Sequence, residues 1–111
     1  MGKVTTHVLD LSNGLPAKHV HIKLYSINLG EREEYLQGAW TNDDGRVDEP
    51  ILQGEQLKEG VFELEFQVGG YFNEQSFYET VPIRFKITDP DEHYHVPLLI
   101  SPWGYQTYRG S

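Results

Sequence analysis

Val61-Phe62-Glu63-Leu64-Glu65-Phe66-Gln67-Val68 carries the cleanest periodicity in the chain. Phe62, Leu64, Phe66 and Val68 alternate with Glu63, Glu65 and Gln67, and a period of two puts the apolar set on one face of a strand and the polar set on the other. The pattern recurs downstream, where Val81, Ile83, Phe85 and Ile87 alternate with Pro82, Arg84, Lys86 and Thr88. Upstream, in 18 to 26, Val20, Ile22 and Leu24 oppose His19, His21 and Lys23. Further runs at 4 to 10, 35 to 41, 93 to 101 and 105 to 109 are separated by turn-forming stretches. Those turns are Ser12-Asn-Gly14, Asn42-Asp-Asp-Gly45, Asp89-Pro-Asp91 and Pro102-Trp-Gly104. Residues 69 to 77 break the period and are compatible with one short helix. About seven to eight short strands at this spacing predict an all-β fold, a two-sheet antiparallel β-sandwich with one short helix.

The 111 residues suit one domain, 1–111, and a chain of this length buries enough surface to need neither disulfide nor structural metal. Absence of cysteine removes thiol chemistry and thiolate zinc sites. A formal charge of −8 disfavours nucleic acid and anionic membranes, which are bound through dense Lys and Arg. The charge is uneven: residues 31 to 79 hold 13 acidic and 3 basic side chains, whereas all five histidines lie in the flanks. An acidic middle reads as a solvated face, and the flanks are where a small anion fits. No apolar run reaches the length of a membrane span, and the start lacks a charged-then-apolar signal pattern, so a soluble cytoplasmic protein is expected.

His93-Tyr-His95 places two imidazoles on one strand face, which suits a metal, but the pair needs a third ligand. His19-Val-His21 repeats the spacing on a strand face read as solvated, and both are read as surface residues. His7, taken alone, reads as a structural histidine, and Arg46 as the solvated end of a turn. The ending Tyr105-Gln-Thr-Tyr108-Arg-Gly-Ser111 is unusually aromatic for a terminus. It is either a closing edge strand or a wall of a site or subunit contact. No phosphate loop, nucleophile elbow, GxGxxG or HExxH is present.

Three separated blocks carry a resemblance. His7-Val-Leu-Asp10 with Gly14-Leu-Pro-Ala17, then Thr41-Asn-Asp-Asp-Gly-Arg46, then His93-Tyr-His-Val-Pro-Leu-Leu-Ile-Ser-Pro102 through Tyr108-Arg-Gly-Ser111 resemble the 5-hydroxyisourate hydrolases. These are the transthyretin-related enzymes of urate breakdown. The similarity spans essentially the whole chain, and the YRGS ending separates the enzymes from the hormone-carrying transthyretins. Leu11 and Glu79-Thr80 depart from the family pattern, outside these motifs.

The resemblance implies a transthyretin-like sandwich and places catalytic residues at His7, Arg46 and His95. It puts substrate contacts on the Tyr108, Arg109, Gly110 and Ser111 tail, with Thr107 as a further hydrogen-bonding candidate. It implies hydrolysis of 5-hydroxyisourate, no cofactor or metal, and a homotetramer with active sites at a dimer-dimer interface. An imidazole suits the activation of water near neutral pH, and an arginine suits charge developing on the attacked carbonyl. Two other readings of the same residues are a non-catalytic carrier of a small aromatic ligand and a metal-dependent hydrolase built on His93 and His95. The retained tail and the His-Arg-His set favour the enzyme.

Overall fold

The structure, a computed structural model, describes residues 1–111. Nine strands form two sheets: β1 (Lys3–Asp10), β2 (Leu15–Pro16), β3 (His21–Asn28), β4 (Glu31–Trp40), β5 (Leu52–Gln53), β6 (Gly60–Phe66), β7 (Val81–Ile87), β8 (His93–Ser101) and β9 (Gly104–Thr107). One sheet has the order β2-β1-β8-β9 with β5 also on β1, and the other runs β4-β3-β6-β7. Two of the nine are two-residue pieces, so the long strands match the expected number. The short helix is α1 (Val68–Tyr71).

The strand alternation holds because each sheet has one face on a shared core. Val4 and Val8 of β1 meet Leu98 and Ile100 of β8 there, against Ile22 and Leu24 of β3 and Phe62, Leu64 and Phe66 of β6. At ~1.5–3 kcal/mol for each buried aliphatic or aromatic side chain, this core is the main force holding the sheets face to face.

Several details differ from the sequence expectation, among them the strand read over 35 to 41, which runs from Glu31 to Trp40. The sandwich is not wholly antiparallel: β1 and β8 pair in parallel across the register Lys3↔His93 to Asp10↔Ile100. Parallel pairing needs a long connection, and here the whole of the other sheet lies between the two strands in sequence. Strand β3 starts at His21 rather than 18, because His19 has a left-handed φ of 56° that no strand interior adopts. Val68 opens α1 instead of ending β6, yet it stays buried as the alternation required. Ile83 and Phe85, expected in the core, are only half-buried, because β7 is an edge strand whose inner face borders a cavity of about 480 Å³.

Glu63 is buried on the face assigned to solvent. Arg32 of β4 donates to it through Nε at 2.8 Å and Arg84 of β7 through Nε at 3.0 Å, so two arginines fold over one carboxylate and tie three strands together. Asp10, at the inner end of β1, is also buried and accepts from Ser12 N at 2.8 Å and from the Tyr71 hydroxyl at 2.7 Å. Burial and this carboxylate push the Tyr71 phenol up to about 12, so it remains a donor and pins α1 to β1. Replacing Tyr71 by Phe removes a hydrogen bond to a buried charge and is expected to cost about 1.5–3 kcal/mol of stability, read from urea unfolding. An unchanged unfolding midpoint would show that α1 is held by packing alone.

Candidate active site

Because β1 and β8 run parallel with Thr5 opposite His95, their odd-numbered residues share the outer face of the sheet. Thr5, His7, His93 and His95 therefore lie together, while Val4, Thr6, Val8, Tyr94 and Val96 point into the core or beneath it. The other edge of β1 is covered piecewise. β5 pairs with Lys3 and Val4, β2 with Leu9 and Asp10, and the gap between them is filled by Arg46, which forms an isolated bridge with His7.

The turn that delivers Arg46 is built by its own side chains. Asn42 Oδ1 accepts from Asp44 N at 2.9 Å and Arg46 N at 3.1 Å, while Asn42 N donates to Arg46 O at 2.7 Å. Gly45 has φ 74°, and a Cβ there would collide with the Val8 carbonyl, so glycine is required twice over. Val8 N donates to Gly45 O at 2.8 Å and fixes the turn against the strand carrying His7.

The tail closes the other side. Gly110 N donates to His95 O at 2.8 Å, and Gly110 lies so close to the imidazole that a Cβ would stand 2.5 Å from Cδ2 of His95. A cavity of about 310 Å³ opens between Thr5, Arg46, Val47, His93, His95 and Ser111. Burial, then the Arg46 guanidinium, lowers the His7 pKa from 6.5, opposed by the Asp44 carbonyl. His95 is lowered from 6.5 by burial, then by Arg46, His7 and His93, opposed by a hydrogen bond to the Thr5 backbone. Both rings are thus neutral at pH 7, the form that accepts a proton, beside a cation that attracts an anionic or carbonyl oxygen.

The structure sorts the residues named from sequence. Arg46, His95 and Ser111 line this cavity, while His7, bridged to Arg46, and Gly110, bridged to His95, stand next to its lining residues. Thr107, Tyr108 and Arg109 turn instead to the 480 Å³ cavity between the sheet edges, which His95 borders from the other side. Thr107 Oγ1 donates to Pro97 O at 2.7 Å, and the Arg109 guanidinium stacks 4.5 Å over the Tyr94 ring and pairs with Glu92 at 3.3 Å. The YRGS tail is therefore split at Gly110, because one extended segment cannot aim every side chain at one face.

His19 and His21 lie apart from this cluster, with His21 stacked on Trp40 at 4.3 Å. The His93 and His95 ring centroids are 6.5 Å apart, and no group of three His, Asp or Glu side chains is placed to hold a metal ion. Thr5 was missed from sequence, although its place two residues before His7 on one strand face was a readable signal.

The fold and this cluster define a transthyretin-like β-sandwich with a histidine-arginine site on the outer face of one sheet. The chain belongs to the HIUase/Transthyretin family, whose model matches residues 4–110. It is 50% identical over 117 residues to the 5-hydroxyisourate hydrolase of Halalkalibacterium halodurans, covering 99% of this chain and 98% of that one. Among solved structures, Klebsiella pneumoniae 5-hydroxyisourate hydrolase superposes with a TM-score of 0.84 at 33% identity, over 100% of this chain and 94% of that one. An (S)-allantoin synthase superposes at 0.90 with 44% identity over 99% of this chain, which spans only 44% of that longer protein.

Gly110→Ala tests the tail contact directly. The added methyl has no room beside His95, so the Gly110–His95 hydrogen bond is expected to break and the His95 ring resonances to shift in NMR spectra. The sheet signal in circular dichroism stays. Unshifted His95 resonances would show that the tail does not hold the ring.

Proposed function

We propose that this chain hydrolyses 5-hydroxyisourate, opening its six-membered ring to 2-oxo-4-hydroxy-4-carboxy-5-ureidoimidazoline. The observation that carries the reading is the pair of neutral imidazoles, His7 and His95, flanking the Arg46 cation beside a cavity of about 310 Å³. The 5-hydroxyisourate hydrolase at 50% identity over nearly the full length supports the substrate.

His7 acts as general base, taking a proton from the attacking water. Arg46 binds the ring oxygens and stabilises the charge that develops on the attacked carbonyl. His95 orients the substrate and passes a proton to the leaving nitrogen. Ser111 hydrogen-bonds the heterocycle, and Gly110 holds the tail against His95. Thr107, Tyr108 and Arg109 support the tail from the neighbouring cavity, a less direct role than the sequence resemblance implied. This mechanism routes no step through a metal or cofactor.

The enzyme works as one domain, as a cytoplasmic homotetramer with its sites at a dimer-dimer interface. The family resemblance supports this assembly, and so does the position of the cavity on the outer face of a sheet, where a second subunit can cover it. No helix of the chain is long and apolar enough to cross a membrane.

Loss of ultraviolet absorbance by freshly made 5-hydroxyisourate reads the activity. Single replacement of His7, Arg46 or His95 is expected to lower turnover by ~10² or more with the fold intact, and His19→Ala to leave it near wild type. The acid limb of the rate falls below pH 6.5, because both imidazoles titrate below that value. Between their own pKa values and 6.5 the folded chain binds fewer protons than the unfolded one, so stability also declines as pH falls through that window. Only the spontaneous rate in wild-type protein, or a rate flat across pH 5 to 8, would overturn the reading.

The assembly is tested by light scattering on the full chain and on a chain lacking residues 108 to 111. A tetrameric mass is expected for the first. Loss of turnover with an unchanged sheet signal is expected for the second. A monomeric wild type with full activity would remove the interface from the proposal.

A further inference from the structure

Thr5 stands between two imidazoles. Its Oγ1 lies 2.9 Å from Nε2 of His93 and 2.8 Å from Nδ1 of His95. A hydroxyl carries a single proton, so Thr5 donates to one ring and accepts from the other, and the tautomers of the two histidines are locked together. If Thr5 donates to His95 Nδ1, then His93 Nε2–H donates to Thr5 and His95 carries its proton on Nε2. If the chain reverses, His95 Nδ1–H donates to Thr5, and Nε2 of His95 is a free acceptor. His93 is exposed at the outer end of this chain, whereas His95 is half-buried.

We propose that the Thr5 hydroxyl is a positioning and proton-relay residue that links His95 to solvent through His93. The inference deepens the hydrolytic reading and rests on it. It resolves a conflict within that reading, because His95 is asked to give up a proton at a place where its charged form is disfavoured. Arg46 from the turn is the charge that faces His95, with the titratable rings of His7 from β1 and His93 from its own strand; each opposes an imidazolium there, and only the Thr5 backbone hydrogen bond favours it. Glu92 and Arg109 lie beside His93, paired with each other.

A relay lets His95 act as an acid while remaining neutral. As the carbon–nitrogen bond of the substrate breaks, the leaving nitrogen takes the proton from His95 Nε2. His95 Nδ1 takes the Thr5 hydroxyl proton, Thr5 takes the proton from His93 Nε2, and His93 Nδ1 takes one from water, whose hydroxide is neutralised by the proton that His7 took from the attacking water and gives up to solvent. Each group loses one proton and gains one. The chain is left reversed, and it resets when His95 Nε2 accepts a proton and every transfer runs backward.

The test uses the full chain with Thr5→Val, Thr5→Ser and His93→Ala. Thr5→Val is expected to lower kcat roughly 10-fold to 100-fold with KM nearly unchanged, the scale for losing a group that orients and supplies a working imidazole, and Thr5→Ser to restore most of it. His93→Ala is expected to lose kcat likewise and to regain it with added imidazole, a free proton donor, to which wild type and Thr5→Val are indifferent. Ring-nitrogen NMR at pH 8 without substrate should show the His95 tautomer populations of wild type shifted in Thr5→Val. A merely structural threonine would leave the His95 tautomer and the imidazole response unmoved. Wild-type kcat in Thr5→Val, or an unchanged His95 tautomer, overturns the relay even if the hydrolysis stands. A wild-type chain that fails to accelerate hydrolysis overturns the function, a separate outcome.

Discussion

The parallel pairing of β1 with β8 is the constraint on which the site depends. Its register sets Thr5 against His95 and leaves His7 one pleat further along the same outer face. A slip of β1 by one residue would turn Thr5 and His7 into the core and Val4 and Val8 out of it. The burial of Val4, Val8, Leu98 and Ile100 therefore specifies the register, and the register places the chemistry. Core packing on one face and site geometry on the other are two consequences of one set of backbone hydrogen bonds.

The electrostatics follow from how Arg46 is brought in. β1 is an interior strand covered on one side by two short strands with a gap between them, and Arg46 occupies that gap beside His7. Asn42 and Gly45 hold the turn, so the backbone of Arg46 is fixed against β1 and its exposed guanidinium is delivered beside the imidazoles. Burial, and then this cation, keep the two imidazoles neutral and available at neutral pH. The same cation makes an imidazolium costly at His95, which is why a route for protons through Thr5 and His93 has chemical value.

The second sheet serves as a platform. Its inner face brings Ile22, Leu24, Phe62, Leu64 and Phe66 to the core, and on its outer face Arg32 and Arg84 converge on Glu63 across β4, β6 and β7. Asp10 performs the analogous task between the sheets, accepting from Ser12 and Tyr71 at the end of the strand that carries His7. Each buried carboxylate is satisfied by donors from separate elements, the condition under which burying a charge is tolerated.

Local pattern was enough for the long strands and most of their core-facing residues, but not for the two-residue β2 and β5 or for the burial of Glu63 on the opposite face. Val20, Ile22, Leu24, Phe62, Leu64 and Phe66 are all in the core, because period-two alternation is a property of the chain itself. The motifs around His7, Arg46 and His95 were likewise legible, through resemblance. Pairing between distant segments was not: nothing in residues 3 to 10 or 93 to 101 announces that the two run parallel, since that depends on the path of the chain between them. Nor does the sequence say that the tail divides at Gly110, sending Ser111 to one cavity and Tyr108 and Arg109 to another. The bond of Thr5 to both His93 and His95 also belongs to the tertiary structure alone. It joins side chains nearly ninety positions apart, and only the closed sheet brings them within reach of a single proton.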